Sequence, residues 1–366
     1  LRKHLKFIAL VLLAALILWL FGRTLNWAEV RQAVSQSDKL LLALAIVFVC
    51  VTYLLRAYRW RALLAPLTPA SMRELFVATT VGFGSVFLFG RAGEIVRPVV
   101  LPLRDRRVRP AASFVTIMVE RVCDSMAVVV LFAVNLLWIS APAGREAEFG
   151  RVRLAGLILL AAGVLGVAGL AWFERRSKRA VHWVNQRLIE RSYVPERVRK
   201  AIVGTLEQLA SALSILADAR ELAVTVGWTA AVWAVIVIAD WLVIRAFGLQ
   251  FSPAQAIFVM GFALVGSLVP TPGGAAGAFH AATAAGLIFL GVARDQAAAV
   301  AIVTHLIVFS PAFVFGLYYL LRGDIDLTQL RQLTSPEAVE HVVEDEHVET
   351  PEMTEQNKLE MAAVNE

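Results

Sequence analysis

Glu120, Arg121 and Asp124 sit inside an otherwise apolar run from Ala111 to Ile139. On a helix, residues three and four apart share a face, so both carboxylates and the guanidinium between them are neighbours. A single charge at the bilayer centre costs at least about 2.5–3.5 kcal/mol, so ionisable groups in a span survive by facing protein or water, usually in pairs. Two uses follow from these residue types. Arg121 neutralises the acids and ties helices together, or the cluster contacts a lipid headgroup or relays protons.

A second candidate is Gly90-Arg91-Ala92-Gly93-Glu94-Ile95-Val96-Arg97-Pro98. Its glycines permit a tight turn. If a helix starts after that turn, Glu94 and Arg97 share a face, and the free N–H groups at the helix start suit a phosphate. A third is Pro270-Thr271-Pro272-Gly273-Gly274, where two prolines remove N–H donors; His280 follows it and His305 lies in the last apolar run. Two isolated histidines fall short of the four ligands zinc takes, so no metal is expected. Arg56, Arg59 and Trp60 end an apolar run, where such residues are ordinary interfacial anchors or contact headgroups at a cytoplasmic mouth.

The elements that carry these residues are helices in a membrane. Of 366 residues, 58% are hydrophobic and 17% charged, and several apolar runs reach the length of a spanning helix, about 20 residues. The expected fold is an all-α polytopic membrane protein with about six full spans: 5–22, 39–56, 111–139, 153–173, 222–246 and 297–321. Two further segments, 74–103 and 254–290, are broken midway by glycine, proline or charge, and each half is short for a crossing. Irregular backbone at membrane depth is tolerated only against protein or a cavity, so both read as re-entrant helical hairpins. Their corresponding positions suggest an inverted repeat with a site near the midplane.

Lys and Arg set the orientation. With the N-terminus inside, cytoplasmic segments hold 26 and external ones 6, which places both termini in the cytoplasm of an inner membrane. Arg2, Lys3 and Lys6 precede the apolar stretch Phe7–Phe21 without a small-x-small cleavage site, so this reads as a retained helix rather than a signal peptide. Residues 174–221 read as a cytoplasmic helical insert on anionic lipid. The membrane body is taken as 1–334. The stretch from Ser335 to Glu366 has ten acids, one lysine and no aromatic residue, the composition of a disordered acidic tail. Cys50 and Cys123 both lie in apolar runs, which argues against a disulfide framework. The basic arginines cluster beside spans, which argues against nucleic acid. No nucleotide-binding or hydrolase motif implies a cofactor or an ATP-driven step.

Four motifs in order carry a resemblance. Arg-x-x-Arg-Trp-x-x-Leu-Leu at 56–64, Gly-Arg-x-Gly-Glu-x-x-Arg at 90–97, Glu-Arg-x-x-Asp at 120–124 and Pro-x-Pro-Gly-Gly at 270–274 make the chain similar to the lysylphosphatidylglycerol synthase transmembrane-region family, over about residues 5–322. The resemblance implies a lipid flippase. In multiple-peptide-resistance proteins the corresponding domain moves aminoacylated phosphatidylglycerol outward and a cytoplasmic synthase domain makes that lipid. The synthase is expected to be absent here, which makes a lipid-synthesising enzyme the candidate protein partner beside membrane lipids. Other relatives are linked to hopanoids or to polyprenyl-lipid glycosylation. Two departures stand out: Phe279-His280 where relatives often carry Glu, and Thr304-His305 where they often carry Arg.

The combined expectation is a flippase for a phospholipid, aminoacyl-phospholipid or polyprenyl lipid, and not an enzyme. Arg91, Arg97 and Arg121 would hold phosphate, Glu94, Glu120 and Asp124 would balance them, and Pro272, Gly273, Gly274, His280 and His305 would complete one shared cavity. The rivals are an intramembrane lipid-modifying enzyme with Glu94 or Glu120 as base, and a non-catalytic scaffold.

Overall fold

In the computed structural model, residues 12, 15–23, 25–141, 144–190, 219–269 and 273–322 are described. All of their regular structure is helical. After a helical stretch over 15–22 come α1 (Trp27–Gln36), α2 (Lys39–Leu64), α3 (Met72–Phe89), a 3-10 turn (Gly90–Ile95), α4 (Val96–Arg104), α5 (Pro110–Trp138), α6 (Glu146–Glu190), α7 (Ala219–Ala246), α8 (Pro253–Gly266), α9 (Ala276–Phe289) and α10 (Arg294–Leu321).

Local chemistry sets the boundaries. Asp38 starts α2 by accepting from the N–H groups of Leu40 and Leu41, which answers part of the helix's orphan-donor problem. Ser252 and Gln255 form a reciprocal capping box at α8, with Pro253 at the first turn, where its missing donor is harmless. Asp105 ends α4 and ties the following loop: it accepts from the Ser71 backbone N–H at 2.9 Å and pairs with Arg107 at 2.7 Å. The Arg107 guanidinium, with backbone N–H groups of Ser71 and Arg107 and against the opposing effect of burial, holds the Asp105 carboxyl down at about 2.

α2 and α7 run antiparallel along each other. Asp38 N–H donates to Ala246 O at 2.8 Å at one end, and Tyr58 stacks on Trp228 with centroids 5.8 Å apart at the other. One core joins Tyr53, Val243, Val259, Leu287, Val300 and Ile307, and a second gathers Trp60, Leu64, Leu75, Val96 and Leu101. Large apolar side chains also cover the outside: Trp138, Leu165 and Leu40 are among the most exposed, as befits helices whose solvent is lipid.

Among the described residues, four helices are long and apolar enough to cross a membrane: Lys39–Leu64, Glu146–Gly166, Arg220–Ala246 and Arg294–Tyr319. The expected span 111–139 falls on α5, whose 29 residues reach about 43 Å at 1.5 Å per residue but carry Glu120, Arg121 and Asp124. Half of the expected span 5–22 lies outside the described residues, and 191–218 of the insert and the tail from Ser335 lie wholly outside them. The helix expected to end its span near 173 runs on to Glu190.

Both broken segments fold back on themselves. In the first, a Cβ at Gly93 would fall on the Ser85 carbonyl and Val86 N, and one at Gly82 would lie 2.6 Å from Arg97 Cβ. Only glycine lets α3, the turn and α4 approach so closely. In the second, a Cβ at Gly266 would lie 2.8 Å from Ala282 Cβ, which packs α8 on α9. Gly273 and Gly274 turn the chain with φ +75° and +62°.

Candidate functional site

The first apolar-run cluster is larger and more buried than the sequence suggests, and its centre lies elsewhere. Arg56, Arg59 and Trp60 lie along one face of α2 and are buried with Glu120 and Asp124 of α5. They are not exposed interfacial anchors: Arg59, Trp60 and Glu120 are each 0% exposed. The α2 helix continues to Leu64, so Arg59 stands inside the packed region rather than at its edge.

Arg59 is the hub. Its Nη1 and Nη2 donate to the two oxygens of Asp124 at 2.6 and 3.0 Å, a bidentate fork that Arg alone offers. Nη2 also lies 3.1 Å from Glu120 Oε1, and Nη1 reaches Thr229 Oγ1 at 3.2 Å. The Trp233 indole donates to Asp124 Oδ1 at 3.2 Å. Arg97 donates to Glu120 Oε1 and lies 4.3 Å from the Trp60 ring centroid. Arg121 Nη2 lies 2.7 Å from Glu120 Oε1 and 3.1 Å from Asp124 Oδ2. Arg56 completes the set, 3.6 Å from Asp124 Oδ2 and 4.8 Å from the Phe83 centroid.

Arg121 is therefore the outermost member, its side chain 36% exposed. Glu94 and Arg97 part company. The 3-10 turn leaves Glu94 exposed while Arg97, one residue into α4, is buried toward Glu120. The side chain of Arg91 and the whole of Pro272 lie outside the described residues.

A second cluster forms where the two hairpin turns meet. Gly273 N–H donates to Phe87 O at 2.7 Å, and His305 Nε2 lies 3.3 Å from Gly274 O. His280 and His305 touch, with centroids 4.8 Å apart, and Phe279 and Phe309 lie within 5.1 Å of His305. Phe87 packs against Phe313 at 5.4 Å. Among the described residues the charged cluster and the meeting turns form two packed clusters, one helical turn apart on α3. Phe83 meets Arg56, and Phe87 meets His305. An open concavity elsewhere, lined by Trp27, Arg31 and Lys39 among others, involves none of these residues.

Sequence reasoning misses Thr229 and Trp233, whose four-residue spacing in an apolar helix carries no charge to announce it. It also passes over Asp240, a half-buried carboxylate in α7 with no ion pair among the described residues. The rule that singles out Arg121, an ionisable group within a span, would find it.

A helical body studded with apolar surface, holding a buried guanidinium–carboxylate network between its spans, defines a multi-pass membrane protein with an internal polar site. The model of the lysylphosphatidylglycerol synthase TM region matches residues 7–316, and the chain belongs to that family. It is also similar to the protein named Glycosyltransferase AglD of Haloferax volcanii, 28% identical over 361 positions, covering 89% of this chain and 56% of the relative. The chain thus spans little more than half of that relative's length. The name corrects one expectation: a relative called a glycosyltransferase overturns the reading of the chain as not an enzyme.

Proposed function

We propose that the chain binds the polar headgroup of a membrane lipid in the Arg59–Glu120–Asp124 network and carries it across the cytoplasmic membrane while the lipid's chains stay in hydrocarbon. One observation carries this: six ionisable side chains from α2, α4 and α5 gather where their desolvation is expensive. Polar surroundings inside the bilayer lower the cost of moving a headgroup through it.

In this proposal the hairpins are re-entrant and related as an inverted repeat, with the first entering from the cytoplasm and the second from outside. Both termini are cytoplasmic. Arg56, Arg59 and Arg97, counted as loop charge in the sequence, are buried in the network. Without them the inside still holds 23 Lys and Arg against 6 outside. Movement is downhill or coupled to an ion gradient.

The relative's name favours a second reading: the same network seats a polyprenyl-linked headgroup during glycosyl transfer. Proteoliposomes containing the purified chain and acyl-labelled phosphatidylglycerol separate the two. Translocation predicts labelled lipid exposed to a membrane-impermeant quencher and recovered unaltered by mass spectrometry. With a polyprenyl phosphate and a sugar donor present, transfer predicts a lipid heavier by one sugar. Neither outcome would leave the network a structural tie.

A further inference from the structure

We infer that the group this network accepts is a phosphate carrying two negative charges, the end of a phosphomonoester or a diphosphate, in preference to a singly charged phosphodiester. The inference rests on the network being a headgroup site. Four guanidiniums, Arg56, Arg59, Arg97 and Arg121, stand against two carboxylates, Glu120 and Asp124. Glu94 is exposed and close enough for its charge to act on Arg121, but it forms no ion pair with the cluster. Among the described residues the cluster therefore carries a surplus of two positive charges, in surroundings of Trp60, Phe83 and Trp233.

The unused donors lie together with the surplus. Arg59 is taken up by Asp124, Glu120 and Thr229 through both terminal nitrogens. Its Nε, however, is buried without a hydrogen-bond acceptor, as are Nε and Nη2 of Arg97, Nη1 of Arg56 and Nε of Arg121. The ring faces of Trp60 and Phe83 stabilise the charge of Arg97 and Arg56 but leave those N–H groups unpaired. Glu120 Oε2 is also buried without a donor.

That set matches one chemistry. A terminal phosphate offers three acceptor oxygens and about −1.5 to −2 charge near pH 7, and guanidiniums take its oxygens in parallel pairs. A phosphodiester has two free oxygens and one charge, and would leave half the surplus unbalanced. Arg121, the exposed edge, marks the side from which the group arrives, since Arg59 and Glu120 are closed behind it.

The test is lipid retention by the full chain in phosphatidylcholine nanodiscs doped equally with phosphatidic acid, a phosphomonoester, and phosphatidylglycerol, a phosphodiester, read by native mass spectrometry. The wild type should retain phosphatidic acid over phosphatidylglycerol by about tenfold, the change that one further charge-assisted hydrogen bond brings. Arg97→Gln should bring the ratio toward one. If that variant does not fold, Arg121→Gln at the exposed edge makes the same test. Inorganic pyrophosphate separates the sources. Raised unfolding temperature with pyrophosphate but no lipid preference assigns the dianion to a soluble molecule. Retained phosphatidic acid that pyrophosphate displaces assigns it to a lipid. Equal retention of both lipids by folded wild type, with no effect of pyrophosphate, overturns the inference. Phosphatidylglycerol that crosses the bilayer without a monoester preference sinks this inference and leaves translocation standing; a monoester preference with no crossing does the reverse.

Discussion

Around Glu120 and Asp124 four guanidiniums converge from α2, α4 and α5. Around His305, one helical turn away along α3, the polar groups are two imidazoles and a glycine carbonyl set among phenylalanine rings. The first region is held by charge and leaves donors over. The second is held by ring packing and a backbone hydrogen bond between hairpin turns. Their difference separates two arrangements that the sequence merges: one region gathers buried guanidinium donors in excess of acceptors, and the other ties one hairpin turn to the other.

The comparison breaks most sharply at the hub. Arg59→Ala should cost about 3–5 kcal/mol, because it strips the bidentate partner from buried Asp124 and an ion-pair partner from Glu120. His305→Phe, at the centre of the other region, should cost about 1 kcal/mol, the worth of a single hydrogen bond to Gly274 O. Thermal unfolding of the two variants in detergent checks this. Equal destabilisation would mean that charge does not distinguish the regions.

The turns give a second, smaller contrast. Gly93→Ala places a Cβ against the Ser85 carbonyl, which is backbone and cannot yield, so destabilisation by about 1–3 kcal/mol and reduced transport are expected. At Gly273 the nearest atom to a new Cβ is Ala276 Cβ at 3.7 Å. That is ordinary van der Waals contact, and Gly273→Ala should cost only about 1–2 kcal/mol, through its left-handed φ of +75°. Unfolding temperature and translocation rate, measured on both, would show whether the first turn is the less forgiving.

These contrasts also show what is legible in the sequence. The helical class, the two broken segments and the Glu120–Asp124 pair are readable, because charge or glycine inside an apolar run is costly and therefore conspicuous. Arg56, Arg59 and Trp60 are misread because the end of an apolar run looks like an interface, and burial there is decided by α5 and α7, far away in the chain. Glu94 and Arg97 look like residues of one face because the 3-10 turn between hairpin arms leaves no mark in residue spacing. His280 and His305 stand out in the sequence, but their packing against each other and the approach of Phe87 to His305 are tertiary facts that no periodicity encodes.

The smallest effect lies outside both regions and calibrates them. Asp105 titrates at about 2 when folded, below its ordinary value of about 3.9. A depressed carboxyl contributes stability that is complete above about pH 4 and fades as pH falls toward about 2. The wild type should therefore show an acid-sensitive increment of stability in that window that Asp105→Asn lacks. A pH series of unfolding temperatures reads it, and identical wild-type and variant profiles would remove the Arg107 pairing as its cause.

The central claim, that the buried network handles the headgroup, is tested most directly by translocation in proteoliposomes carrying Arg121→Gln. Arg121 is the exposed member, so this variant keeps the Arg59–Asp124 hub and should fold. With acyl-labelled phosphatidic acid and a membrane-impermeant quencher, the account predicts crossing slower than wild type by about tenfold, the equivalent of removing one charge-assisted hydrogen bond, at an unfolding temperature close to wild type. Crossing at the wild-type rate by the folded variant would contradict it.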